Sequence, residues 1–226
     1  MRFGIIVFPG TWAERDFHHA LTNVLGHEAE YVWHKNTDLS RYDAIILPGG
    51  FSYGDYLRVG AIARFSPVMK SVEEFAANGG LVFGSCNGFQ ILCEARILPG
   101  AVLRSVHLKY MCQWTHLRVE NTKSPFAASC QKGQVLNIPI SHYEGRYYAD
   151  EATLADIEAN GQVLLRYSTP SRGITPEANP NGSLNNIAGI TNKAGNIVGM
   201  MPHPERCCEL ILGGVDGRVF FESIAV

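Results

Sequence analysis

Apolar residues along this chain fall into two rhythms. Short β-branched runs at 3–8, 29–33, 44–47 and 81–84 alternate with segments of helical period at 15–25, 67–77 and 89–95. Strands separated by helices demand crossover connections, so the first half predicts a parallel sheet covered on both faces. After Pro99-Gly100 the rhythm changes. Runs at 115–120 and 135–140 read as strands with little helix between them, which either extend the sheet or form an antiparallel flap. A helix is expected at 153–160 and a strand at 163–167. The Pro-, Gly-, Ser- and Asn-rich stretch 168–183 reads as a long loop, and 187–191 with 197–201 as a hairpin around Ala194-Gly195. The expected fold is a doubly wound, mostly parallel open α/β sheet with some antiparallel strands in its second half. No repeat or linker interrupts it, so residues 1–226 are expected to form one domain.

Composition narrows the classes of function. With 46% hydrophobic and 18% charged residues, the chain has the material for a large core. Lys and Arg total 19 against 21 Asp and Glu, which leaves no basic field for nucleic acid. The apolar start is cut short by Pro9-Gly10 and then by Glu14, Arg15 and Asp16, and no run approaches a membrane span, so a soluble cytoplasmic protein with no membrane partner is expected. In that setting the six cysteines, at 86, 93, 112, 130, 207 and 208, are expected as free thiols. Adjacent Cys207 and Cys208 lack the spacing of a zinc site, so no metal is expected. Asn181-Gly182-Ser183 reads as a turn.

Cys86 stands apart from the other five. The segment 81–92 runs from an apolar strand into Gly84-Ser85-Cys86-Asn87-Gly88 and then into a helical pattern. That is the context of a nucleophile elbow, in which glycines either side of the nucleophile permit a tight strand-to-helix turn. The start of the helix adds a partial positive charge that favours thiolate. A nucleophilic cysteine needs a base and a group to orient it. His-x-Glu occurs at His142-Tyr143-Glu144 and at His203-Pro204-Glu205, and in extended backbone residues two apart project to one side. The second pair has the stronger case, because Pro202 and Pro204 exclude a helix and stiffen the backbone carrying the imidazole. For His142 a loop or substrate-contact role weighs at least as much. An oxyanion hole would take the Asn87 N–H and one from Pro48-Gly49-Gly50-Phe51, which follows an apolar strand to the same edge of the sheet.

Gly84-x-Cys86-x-Gly88-x-Gln90 with a distant His203-x-Glu205 resembles the triad-type, class I glutamine amidotransferases, whose sheet is flavodoxin-like. Longer stretches are similar to one branch of that family, the glutaminase subunits of phosphoribosylformylglycinamidine synthases: 47–58 (LPGGFSYGDYLR), 60–67 (GAIARFSP), 86–92 (CNGFQIL), 179–183 (NPNGS) and 199–206 (GMMPHPER). The resemblance implies that Cys86 attacks the side-chain amide of glutamine, His203 shuttles the proton and Glu205 orients it. It further implies an oxyanion hole from Gly50 and Asn87, and contacts to glutamine from Phe51 and Gln90. As partners it implies a large ATP-dependent subunit, which aminates formylglycinamide ribonucleotide, and a small third subunit. This chain carries no Gly-x-x-x-x-Gly-Lys-Ser/Thr phosphate loop, so no cofactor is expected in it, and ATP and magnesium are expected in the large subunit. It departs from the branch at Thr11-Trp12-Ala13-Glu14, at Ser85 and Val59, where valine and cysteine are usual, and at Tyr143, where glycine is common. Two other readings compete: a peptidase-like cysteine hydrolase, whose histidine usually adjoins the nucleophile where Asn87 stands here, and a redox-sensing module with Cys86 as its switch.

Overall fold

The computed structural model describes residues 1–224. Its main sheet has the strand order β2-β1-β3-β4-β11-β10-β9-β6-β7. Strands β1 (Arg2–Val7), β2 (Glu28–Trp33), β3 (Ala44–Leu47), β4 (Leu81–Ser85) and β11 (Ile197–Met200) run parallel to their neighbours. From β11 onward the pairing is antiparallel, through β10 (Ile187–Thr191), β9 (Val163–Ser168), β6 (Met111–Val119) and β7 (Val135–His142). The two late runs therefore extend the sheet. The hairpin at 187–201 is present, and its second strand lies beside β4, so the segment before His203 is hydrogen-bonded in register with the segment before Cys86.

Alternation along the strands divides the core between two faces, as period-2 geometry requires. Ile45, Leu47 and Val82 pack with Val68 and Val72 of α2 (Pro67–Ala77), Phe89 and Leu92 of α3 (Asn87–Glu94), and Ile157 of α4 (Glu151–Ala159). Ala44, Ile46 and Phe83 pack on the other face with Phe17 of α1 (Glu14–His19) and with Phe220 and Phe221 of α5 (Arg218–Glu222). Phe83 is fully buried among Phe17, Phe126, Phe220 and Phe221. Burying such a ring contributes roughly 1.5–3 kcal/mol, which anchors the strand that carries the elbow.

Two local expectations differ. The segment 15–25 is not one helix, because Ala20–Val24 is a π turn closed by Leu25 N–H to the Ala20 carbonyl. There the Thr22 hydroxyl donates to the His18 carbonyl at 2.7 Å, in competition with the helical ladder. Strands β5 (Ala101–Arg104) and β8 (Glu144–Tyr148) form a separate antiparallel pair that the apolar pattern did not reveal. Neither run is buried throughout, and only their mutual pairing makes them strands.

Candidate active site

Cys86 occupies the junction of β4 and α3 with φ 50° and ψ −106°, outside the basins that L residues ordinarily adopt. Its N–H donates to the Met200 carbonyl at 2.7 Å, which ties the elbow to β11. The flanking glycines serve close approach. A Cβ on Gly88 would overlap the Leu47 carbonyl at the end of β3, and one on Gly84 would lie 2.6 Å from Leu92 Cδ1 and 2.8 Å from the Gly88 carbonyl carbon. Cys86 is 6% exposed, and its thiol faces the Ser141 carbonyl at 3.7 Å.

His203 follows β11 and is buried, as is Glu205. Nδ1 of the imidazole donates to Glu205 Oε1 at 2.6 Å, and Nε2 has no hydrogen-bond partner among the described residues. The geometry behind this pair is not the extended strand expected from the spacing. Pro204–Arg206 forms a single 3-10 turn with Pro204 in its first position, where proline's missing N–H costs nothing, and the turn brings Glu205 back under the ring. Burial alone would push the imidazole down. The Glu205 carboxylate, with Cys86 nearby, more than offsets that, and the His203 pKa is raised to about 10. Histidine and cysteine meet at Gly49, where a Cβ would lie 2.7 Å from His203 Cε1 and 3.4 Å from Cys86 Cβ.

The loop after β3 lies beside them. Trp12 and Ala13 N–H both donate to the Gly49 carbonyl, and Phe51 N–H donates to the Gly10 carbonyl. Gly50 N–H is left outside this pairing, at φ 152°, and a Cβ there would lie 2.6 Å from Trp12 N. Asn87 N–H is in the first turn of α3, where no helical acceptor exists. The Asn87 side chain accepts from Ser52 N–H at 3.2 Å and donates to Gln90 Oε1 at 3.0 Å; Gln90 Nε2 in turn donates to the Glu144 carbonyl at 2.6 Å. This chain of bonds fixes the elbow, the Gly49-Gly50 loop and β8 to one another.

A cavity of about 270 Å³ opens onto the elbow, lined by Gly50, Phe51, Cys86, Gln90 and His203 among others. All the candidate residues except Asn87 and Glu205 thus border one space; those two support it from behind. The cavity is also lined by residues the sequence reading did not single out, including Asp55, Arg104, Tyr110, Ser141 and Arg206. Asp55 Oδ1 is buried there without a partner, and burial together with the Glu144 charge raises the carboxyl to about 6. Ser85 was also missed as a functional group. It ends an apolar run, and nothing in its neighbours signals that its hydroxyl lies 3.2 Å from Glu205 Oε2. His142 lines the cavity too but is held differently: Asn181 Nδ2 donates to its Nε2 at 3.1 Å. Burial, and then the charge of His203, push its pKa down to about 3. Asn181, in the segment read as a turn, is a fully buried hub that also bonds the Gly145 carbonyl.

A strained cysteine on an elbow, a buried imidazole aimed by a carboxylate and free N–H groups beside them define a cysteine-dependent acyl-transfer site. The model of the CobB/CobQ-like glutamine amidotransferase domain matches residues 1–213, and the chain belongs to that family. Within it, the chain falls among the PurQ subunits of phosphoribosylformylglycinamidine synthase. It is 60% identical to that subunit of Moorella thermoacetica, over 99% of this chain and 95% of the relative, and 59% identical to that of Salinibacter ruber over the same shares. A chain in the structure of PurLQS from Thermotoga maritima superposes with a TM-score of 0.88 at 42% identity, covering 99% of this chain and 97% of that one. A glutamine amidotransferase from Thermotoga maritima, with TM-score 0.56 at 16% identity over 99% of this chain and 90% of that one, shares the fold. No helix among the described residues is long and apolar enough to cross a membrane.

Proposed function

We propose that this chain is the glutaminase subunit of a phosphoribosylformylglycinamidine synthase, releasing ammonia from glutamine for an ATP-dependent synthetase subunit in purine biosynthesis. The observation that carries the chemistry is the buried Glu205–His203 pair meeting Cys86 across Gly49 beside the cavity. His203, raised to about 10, holds a proton at neutral pH and so supports an anionic sulfur beside it. The Cys86 thiolate attacks the side-chain amide carbon of glutamine, and the carbonyl oxygen takes up the negative charge against the Gly50 and Asn87 N–H groups. As the tetrahedral adduct collapses, the C–N bond breaks, His203 gives its Nε2 proton to the leaving nitrogen, and ammonia departs from a Cys86 thioester. Water then attacks the thioester. His203 takes the water's proton, glutamate leaves and the thiolate–imidazolium pair is restored. Gln90 and Phe51, on the cavity wall, contact the bound glutamine.

Ammonia freed into water at neutral pH is protonated and is no longer a nucleophile. A glutaminase built for synthesis therefore works docked on its acceptor enzyme, here a large synthetase subunit with a small third subunit, as the PurLQS relationship suggests. ATP and magnesium act in the large subunit. Replacing Cys86 by Ala tests the division of labour: glutamine-dependent formation of the amidine is lost in the reconstituted complex, while synthesis from added ammonia continues. Loss of both would sink the assignment.

A further inference from the structure

Ser85 is the last residue of β4, fully buried and one position before the nucleophile. Its hydroxyl lies 3.2 Å from Glu205 Oε2, 3.3 Å from the Pro202 carbonyl and 3.5 Å from His203 Nδ1. The Glu205 side chain is fully buried, and Oε1 is engaged by the imidazole. Oε2 has no partner other than Ser85 among the described residues. A buried carboxylate oxygen without a donor is costly, and an ionised acceptor makes a stronger bond than the neutral carbonyl of Pro202, so the Ser85 hydroxyl donates to Oε2.

We propose that Ser85 is a positioning residue for catalysis, a second donor that holds Glu205 aimed at His203 Nδ1. This rests on the assignment of Cys86, His203 and Glu205 made above. The carboxylate has to stay on Nδ1 while the imidazolium gives up its Nε2 proton and takes one back. A hydrogen bond to Oε2 restricts rotation of the carboxylate, so Oε1 stays on Nδ1 and the ring keeps its tautomer and orientation. Because Ser85 and Cys86 are adjacent, one strand end sets both the nucleophile and the aim of its base. The charged or titratable groups close to Glu205 are His203, Arg206, Cys207 and Cys208. Arg206 donates to Asp16 at 2.9 Å, and burial pushes both thiols up, so neither thiol supplies a charge at neutral pH. The serine hydroxyl is the one neutral donor on the carboxylate among the described residues.

The test compares Ser85→Thr, which retains the hydroxyl, with Ser85→Val, which has the same shape without it, in the reconstituted complex. Val is expected to lower kcat for glutamine about tenfold relative to Thr, a factor within the worth of one hydrogen bond to a buried charge. KM for glutamine stays unchanged, because the lost bond lies behind the catalytic pair and not on the wall of the cavity. Ser85→Ala, which adds no atoms, is expected to repeat the effect of Val if either branched side chain prevents folding. Ammonia-dependent synthesis stays the same in all three. Equal kcat for Thr and Val, or a wild-type kcat in Ala, overturns the inference. Cys86→Ala run alongside separates the two levels: if it retains glutamine-dependent synthesis, the catalytic assignment itself has failed, whereas if it loses that activity while Thr and Val coincide, only the role of Ser85 has.

Discussion

Around His203 the backbone turns through a single 3-10 turn at Pro204–Arg206, and Glu205 comes back to accept from the imidazole at 2.6 Å. Around His142 the backbone leaves β7, bends at Tyr143 and begins β8, so Glu144 faces Arg104 at 3.1 Å and the imidazole is left to Asn181. Both histidines are buried and both border the same cavity. One is raised to about 10 and the other lowered to about 3. The difference lies in what faces each ring. Burial disfavours the charged form of both rings; the Glu205 carboxylate more than offsets this at His203, whereas at His142 the charge of His203 adds to it. The same three-residue spelling therefore yields a ring protonated at neutral pH in one place and a neutral ring in the other.

The sharpest way to break this comparison is to remove each ring. His203→Ala is expected to lower glutamine-dependent kcat by on the order of 10³-fold or more, as loss of a general acid–base does. His142→Ala is expected to stay within about tenfold of wild type in kcat. Steady-state kinetics of the reconstituted complex checks both, and the reverse ranking would show that the wrong pair was chosen. Glu205→Gln comes next. It keeps the shape but removes the charge that holds the proton on His203, and an expected loss of about 10²-fold or more in kcat should not be matched by Glu144→Gln.

Stability supplies the following test. The folded pKa of His142 lies below its ordinary value of 6.5, so its contribution is complete above pH 6.5 and is lost as pH falls from there toward about 3. Urea unfolding of His142→Asn should lose less stability than wild type across that window, and equal slopes would show that His142 is not held neutral. Asn181→Ala should cost about 1–3 kcal/mol at neutral pH by leaving buried acceptors unmatched, read as a shift in the urea midpoint. The smallest effect is expected of Arg104→Ala. Its side chain is 68% exposed, so its ion pair with Glu144 is worth less than about 1 kcal/mol.

The parallel half of the sheet was legible because β3 and β4 are continuous apolar runs and β4 lies directly between α2 and α3, a pattern few other structures produce. Strands β5 and β8 were not, since each is a short stretch of mixed polarity whose partner lies some forty residues away. The elbow could be read because both glycines stand within two residues of the nucleophile, although only the overlap at Gly84 is with the helix that follows and the one at Gly88 is with Leu47 of β3. The prolines pointed to the His-x-Glu pair whose members are in contact, His203 and Glu205, although a 3-10 turn and not projection from an extended strand brings them together. Asn181 looked like an ordinary loop residue, and its burial depends on β7, β8 and β9 meeting over it.

Sequence by itself determined the elements whose causes are local or periodic: the alternation that builds the covered sheet, the glycine-flanked cysteine, and the absence of a charge field for a polyanion. Tertiary structure decided what each polar group faces. It put Ser85 on Glu205, Asn181 on His142 and Gly50 on the wall of the cavity that Cys86 borders, through contacts between segments far apart in the chain. The physical reason is that backbone shape is set over a few residues. The protonation state and aim of a buried side chain are set instead by whichever donors, acceptors and charges the fold brings within about 4 Å of it.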